Sequence, residues 1–199
     1  MKNEKRMSTA LTLTFSGIMT ALVLVLQLLG AFIKFGPFSV SLVLVPIVLG
    51  AAVCGPGIGA WLGLVFAGAV FLSGDAGLFL AISVPGTLVT VIAKGVACGF
   101  AAGLVYRLLC RWNQYVAVLV AAVVCPVVNT GVFLIGCRLF FWDTITQLAS
   151  DSAYGSNVVG YLFLGFIGAN FLFELGTNMI LSPVILRLLN ISKKFRLGE

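Results

Sequence analysis

Twelve basic and six acidic side chains are all the charge that 199 residues carry. Two of them, Lys94 and Glu174, stand inside long apolar runs, where an ionisable group is costly and marks a functional site. Three amides stand at comparable positions: Asn129, Asn170 and Asn178. Asn170, Glu174 and Asn178 are four residues apart in turn, so on a helix they share one face. An ammonium and several amides in an apolar surround suit an anionic solute that also bears hydroxyls or amides. A second arrangement uses the same residues differently: Lys94 and Glu174 neutralise each other, and the asparagines join helices. A third has that ion pair as a floor beneath a ligand held by the asparagines. A proton relay through Glu174 lacks a second carboxylate inside the apolar runs. The chain has no histidine, so the usual zinc and haem sites and His-based triads are not expected. No metal, no cofactor and no catalytic group is predicted, and an enzyme is not the reading. The five cysteines, Cys54, Cys98, Cys110, Cys125 and Cys137, include no C-x-x-C pair and read as small buried hydrophobes.

These groups sit in a chain that is 61% hydrophobic and 9% charged, against about 25% charged in an ordinary globular domain. The composition excludes a water-soluble domain, intrinsic disorder, a secreted disulfide scaffold and a nucleic-acid-binding protein. It predicts an all-α integral membrane bundle, one transmembrane domain over 1–199. Runs of about 20 apolar residues place six helices at about 8–31, 38–54, 58–73, 86–109, 114–140 and 159–189. The turn Gly55-Pro56-Gly57 separates the second from the third. Residues 78–85 are apolar but too short to span and read as a re-entrant or capping segment. Residues 142–157 are polar and interrupt the pattern, and the last helix is expected to bend near Pro183.

An even number of crossings puts both termini on one side. With them go nine basic residues: Lys2, Lys5, Arg6, Arg107, Arg111, Arg187, Lys193, Lys194 and Arg196. The other side keeps Lys34 and Arg138. Both termini are therefore expected in the cytoplasm, and the basic cluster before residue 8 introduces a retained helix rather than a cleaved signal. Asp75, Asp143, Asp151 and the three longest connections, 32–37, 74–85 and 142–157, then face outward, where binding tends to reside. At 1.5 Å per residue, Lys94 lies roughly 12–15 Å below the outer surface, Asn129 roughly 15 Å and Asn170 roughly 15–20 Å, with Glu174 one turn deeper. This layer predicts a pocket open to the outside and closed below. Small residues at i, i+4 spacing (Gly17/Ala21, Gly59/Gly63, Gly99/Gly103, Gly165/Ala169) predict close helix packing. The first pair, with Ser16 and Thr20 beside it, is also a candidate for docking a partner subunit.

Pro46, Gly50, Ala51, Gly55, Pro56, Gly59, Ala60 and Gly63 follow the pattern P-x-x-x-G-A-x-x-x-G-P-x-x-G-A-x-x-G. This stretch resembles the substrate-binding S components of energy-coupling factor (ECF) transporters. Gly168-Ala169-Asn170 through Glu174 and Ser182-Pro183 resemble their final helix. The resemblance implies a multi-pass cell-membrane subunit that binds one water-soluble vitamin or related micronutrient from outside. It delivers that solute with a transmembrane T component and two cytoplasmic ATPases, toppling in the membrane to release it. It implies ligand contacts from the outer loops and the last three helices, matching Lys94, Asn129, Asn170 and Glu174. It also implies T-component contact through an Ala-x-x-x-Ala stripe, for which this chain offers Gly17 to Ala21 or Ser16 to Thr20. No Walker A sequence occurs, so energy is expected from the partners. Pantothenate is the favoured solute, its carboxylate at Lys94. Riboflavin comes next, stacked on Trp142, Tyr154 or Phe35. A stand-alone secondary transporter or channel for a small solute is the alternative.

Overall fold

The computed structural model describes residues 9–32, 34–35, 38–39 and 42–197. The basic cluster Lys2, Lys5 and Arg6, and the side chains of Lys34 and Phe35, lie outside what is described. The bundle is helical: α1 Thr9–Gly30, α2 Leu44–Cys54, α3 Pro56–Leu72, α4 Gly77–Leu80, α5 Val84–Leu109, α6 Gln114–Phe140, α7 Trp142–Ser150, α8 Val158–Gly160 and α9 Gly168–Leu197. A π-helical segment, Tyr161–Phe166, links α8 to α9. A two-residue antiparallel pair, β1 Lys34–Phe35 with β2 Phe38–Ser39, is the extended structure among the described residues.

The helix ends follow local chemistry. Pro56 and Pro85 each sit in a first turn, where the missing N–H costs nothing and the fixed φ favours the helix. Pro85 therefore opens α5 rather than closing the preceding apolar segment, as the sequence pattern suggested. Ser83 Oγ caps α5 by accepting from the Gly86 amide at 3.2 Å, and Asn113 Oδ1 caps α6 by accepting from Tyr115 at 2.8 Å. The second helix begins at Leu44, not Phe38, because Phe38–Ser39 pair with Lys34–Phe35 instead. Residues 142–157 are not all loop: α7 turns Ile145 and Ala149 inward. Residues 78–85 contain the single turn of α4. The last long helix is preceded by an irregularity that the sequence pattern did not indicate. Pro183 lies within an unbroken α9, while Ile167 N donates to Leu162 O across five residues at 2.9 Å.

Four stretches are long and apolar enough to cross a membrane: Thr9–Gly30, Val84–Leu109, Gln114–Phe140 and Val158–Ile191. The 11 residues of α2 and 17 of α3 are shorter, about 16 and 25 Å against a hydrocarbon core of about 30 Å. Burial explains the difference for α2, of which Leu44, Ile47 and Val48 are inaccessible. Large apolar side chains such as Leu13, Ile18, Val89, Leu164, Leu172 and Ile180 point outward instead, the inverse of a water-soluble surface. The main core gathers α2, Leu62 and Phe66 of α3, Cys98 and Ala102 of α5, Ala121 and Cys125 of α6 and Ile185 of α9. All five cysteines are free thiols.

The tightest seam joins α3 to α5. A Cβ on Gly63 would strike the Gly95 carbonyl and one on Gly95 the Gly63 carbonyl; Gly59 and Gly99 block each other in the same way. The predicted small-residue stripes on these helices are thus a reciprocal glycine contact, shifted by one turn: Gly95 and Gly99 meet α3, while a Cβ on Gly103 would strike the Pro56 backbone. Gly165 packs on the Tyr154 ring, and Ala169 is exposed. Gly63→Ala is expected to destabilise the detergent-solubilised protein by about 1–3 kcal/mol, the cost of overpacking. Gly68→Ala, where a Cβ meets open space, should leave the melting temperature unchanged or slightly higher.

Candidate functional site

The α3–α5 seam fixes the rotation of both helices at one level, one turn beyond which Phe66 projects from α3 and beside which Lys94 precedes Gly95 on α5. The Lys94 ammonium lies 5.5 Å from the Phe66 ring centroid and 5.2 Å from that of Phe133 on α6. Both distances lie within the range of cation–π attraction. Among the described residues it makes no hydrogen bond and has no carboxylate oxygen within ion-pairing reach. The direct Lys94–Glu174 ion pair, one of the arrangements the sequence left open, is not formed.

Glu174 is 2% exposed and is held by amides from two helices. Asn129 Nδ2 of α6 donates to Oε2 at 3.3 Å, and Asn170 Nδ2 of α9 donates to Oε1 at 3.2 Å. Asn178 Nδ2 donates to the Glu174 carbonyl at 2.8 Å, tying the next turn rather than the carboxylate. These donors answer the desolvation cost of a buried acid without supplying a counter-charge. Asn129 is itself 5% exposed, and its Oδ1 has no hydrogen-bond partner among the described residues, so one buried acceptor remains open.

Lys94, Phe133, Asn170 and Glu174 line two adjoining compartments. The deeper one, about 40 Å³, adds Asn129, Thr130 and Ile167. The other, about 50 Å³, runs toward the end of the bundle that carries α4 and is walled by Gln27, Phe66, Asp75 and Phe79 among others. Phe79 of α4 closes that wall by packing edge-on against Phe133 at 5.3 Å and Phe141 at 4.9 Å. Each compartment has room for only a few water-sized molecules, well below the roughly 300–1,000 Å³ of a small-molecule pocket. The structure therefore brings Lys94, Asn129, Asn170 and Glu174 to one chamber. It does not bring Trp142 or Tyr154 there. Trp142 lies under the Arg138 guanidinium at 4.5 Å, and Tyr154 packs on Tyr161 at 6.0 Å.

Two chamber residues escaped the sequence reading. Gln27 is 2% exposed and donates to Asp75 Oδ2 at 2.7 Å and to Ser73 Oγ at 3.4 Å. Gly74, at φ +78°, turns the chain after α3 so that Asp75 comes back toward α1. A lone amide within the apolar run 21–30 was the available signal for Gln27; nothing local marked Asp75 as more than a loop acid. Of the four candidate docking residues on α1, Ser16 faces inward and donates to Thr12 O at 2.8 Å. Thr20 accepts from Trp61 Nε1 at 3.2 Å. Gly17 and Ala21 face outward, with nothing near a Cβ on Gly17.

Asn129→Leu removes one donor from the Glu174 carboxylate and should lower stability by about 1–3 kcal/mol. Adding Glu174→Gln, which removes the buried charge, should recover part of that loss in thermal unfolding of the detergent-solubilised protein.

Comparison with known sequences completes the site. No curated protein and no solved structure matches the chain. The sequence model of the family described as "ECF transporter, substrate-specific component" matches residues 11–186. A match over most of the length, on a bundle of apolar helices enclosing a polar chamber, makes this a multi-pass protein of the cell membrane. The chain belongs to the substrate-specific components of ECF transporters.

Proposed function

We propose that the chamber around Lys94 binds one water-soluble vitamin or related micronutrient with an anionic group, pantothenate before riboflavin. The observation that carries this reading is the Lys94 ammonium, flanked by two phenyl rings and, among the described residues, without a carboxylate in ion-pairing contact. A buried cation in that setting gains most from an anion that it meets directly. Asn129 Oδ1, without a hydrogen-bond partner among the described residues, suits a hydroxyl or N–H of the same solute, and Asn170 and Glu174 complete the contacts. Riboflavin ranks lower because Trp142 and Tyr154 stack elsewhere. Both compartments are small, so entry of a vitamin requires the Phe79 wall to move outward.

The chain acts as a single transmembrane domain that crosses six times, with both termini in the cytoplasm and the α4 end of the chamber facing outside. The distribution of basic residues supports this orientation. Delivery then depends on a transmembrane T component and two cytoplasmic ATPases. The exposed Gly17 and Ala21, rather than the inward Ser16 and the engaged Thr20, are the docking register on α1.

Three results are expected. Pantothenate should raise the melting temperature of the purified protein without ATP. Lys94→Ala should weaken its binding tens-fold, since a charge-assisted contact is worth about 1.5–3 kcal/mol. Tight binding of a cationic vitamin, or ion-driven uptake by the chain alone in proteoliposomes, would overturn the reading. Gly17→Leu with Ala21→Leu should leave binding intact and abolish co-purification with the T component.

A further inference from the structure

Resting on the reading of Lys94 as the anion-binding group, we propose that Gln27 is a positioning residue for it: the Gln27 amide holds the Asp75 carboxylate away from the Lys94 ammonium and so keeps that charge open to a solute. Asp75 and Lys94 wall the same compartment. Opposite charges facing one another in a chamber of low dielectric attract strongly, and an acid that closed on the ammonium would compete with any anionic solute. Gln27 opposes that closure. Its Nε2 lies 2.7 Å from Asp75 Oδ2, at the short end of N–H···O contacts, and Ser73 Oγ lies 3.1 Å from the same oxygen. Gln27 is 2% exposed and is carried on α1, 48 residues away in sequence, so the clasp is set by tertiary packing.

The other carboxylate of the chamber is treated alike, because Asn129 and Asn170 hold Glu174. Gln27, Asn129 and Asn170 are neutral amides, which satisfy oxygen lone pairs without bringing a second cation to the chamber. Three amides from three helices thus point at acids, and none points at the ammonium.

Gln27→Leu, Asp75→Asn and the double variant separate this role from mere tying of α1 to the α3–α4 connection. Pantothenate is the probe, titrated calorimetrically into detergent-solubilised protein whose folding is checked by thermal unfolding. Gln27→Leu should weaken binding about tenfold or more, the scale of one charge-assisted contact. Asp75→Asn alone should bind as tightly as the parent or more tightly. The double variant should return to within about threefold of the parent, because the competing charge is gone. Parent-like binding by Gln27→Leu, or a double variant as weak as Gln27→Leu, overturns the role of Gln27 while Lys94→Ala still tests the underlying reading. Parent-like binding by Lys94→Ala, or a parent that does not bind pantothenate, removes that reading and this inference with it.

Discussion

One ammonium placed within an apolar bundle sets the terms for the rest of the molecule. Taking Lys94 out of water is expensive, and the chain meets that cost with the negative faces of Phe66 and Phe133 rather than with a carboxylate contact. Aromatic faces attract a cation while leaving its N–H groups available. The neighbouring acids are hydrogen-bonded by amides rather than by the ammonium. Lys94 and Glu174 are therefore opposite charges kept in one chamber without a direct ion pair, an arrangement that a core selected only for stability would avoid.

Backbone contact is what makes that placement reproducible. A Cβ on either Gly63 or Gly95 would strike the other's carbonyl, so the close approach of α3 and α5 depends on glycine at both positions. Lys94 and Phe66 inherit their positions from that seam. Gly59 and Gly63 belong to the stretch that resembles the S components, so the motif fixes helix geometry beside the chamber. The second aromatic partner comes from α6, whose packing on α5 is as extensive as that of α3.

Much of this was legible in the sequence, for a physical reason. In lipid a polar side chain has few places to go, so Lys94, Asn129, Asn170 and Glu174 could be grouped by depth alone, and the 3.6-residue period supplied their faces. Helix limits were readable where a cap or proline marked them, as at Asn113 and Pro56. Depth could not reveal which groups bond to which, and the amide clasp of Glu174 replaced the ion pair that formal charge suggests. Asp75 was hidden because its place depends on a glycine turn and on a partner 48 residues away. Trp142 and Tyr154 were chosen for ring chemistry in the polar segment 142–157, but α7 and the π-helical segment give those rings neighbours of their own.

The wide turn at Tyr161–Phe166 bears on how the last helix keeps its bearing. A single additional residue in a regular helix advances everything after it by about 100°, whereas a π-type turn takes up that residue locally without breaking the rod. Asn170, Glu174 and Asn178 all follow it on α9. The polar row therefore keeps its aim toward α5 and α6 although the helical path ahead of it is one residue wider, and a change of length in the connection before α9 has a place to be absorbed short of the chamber.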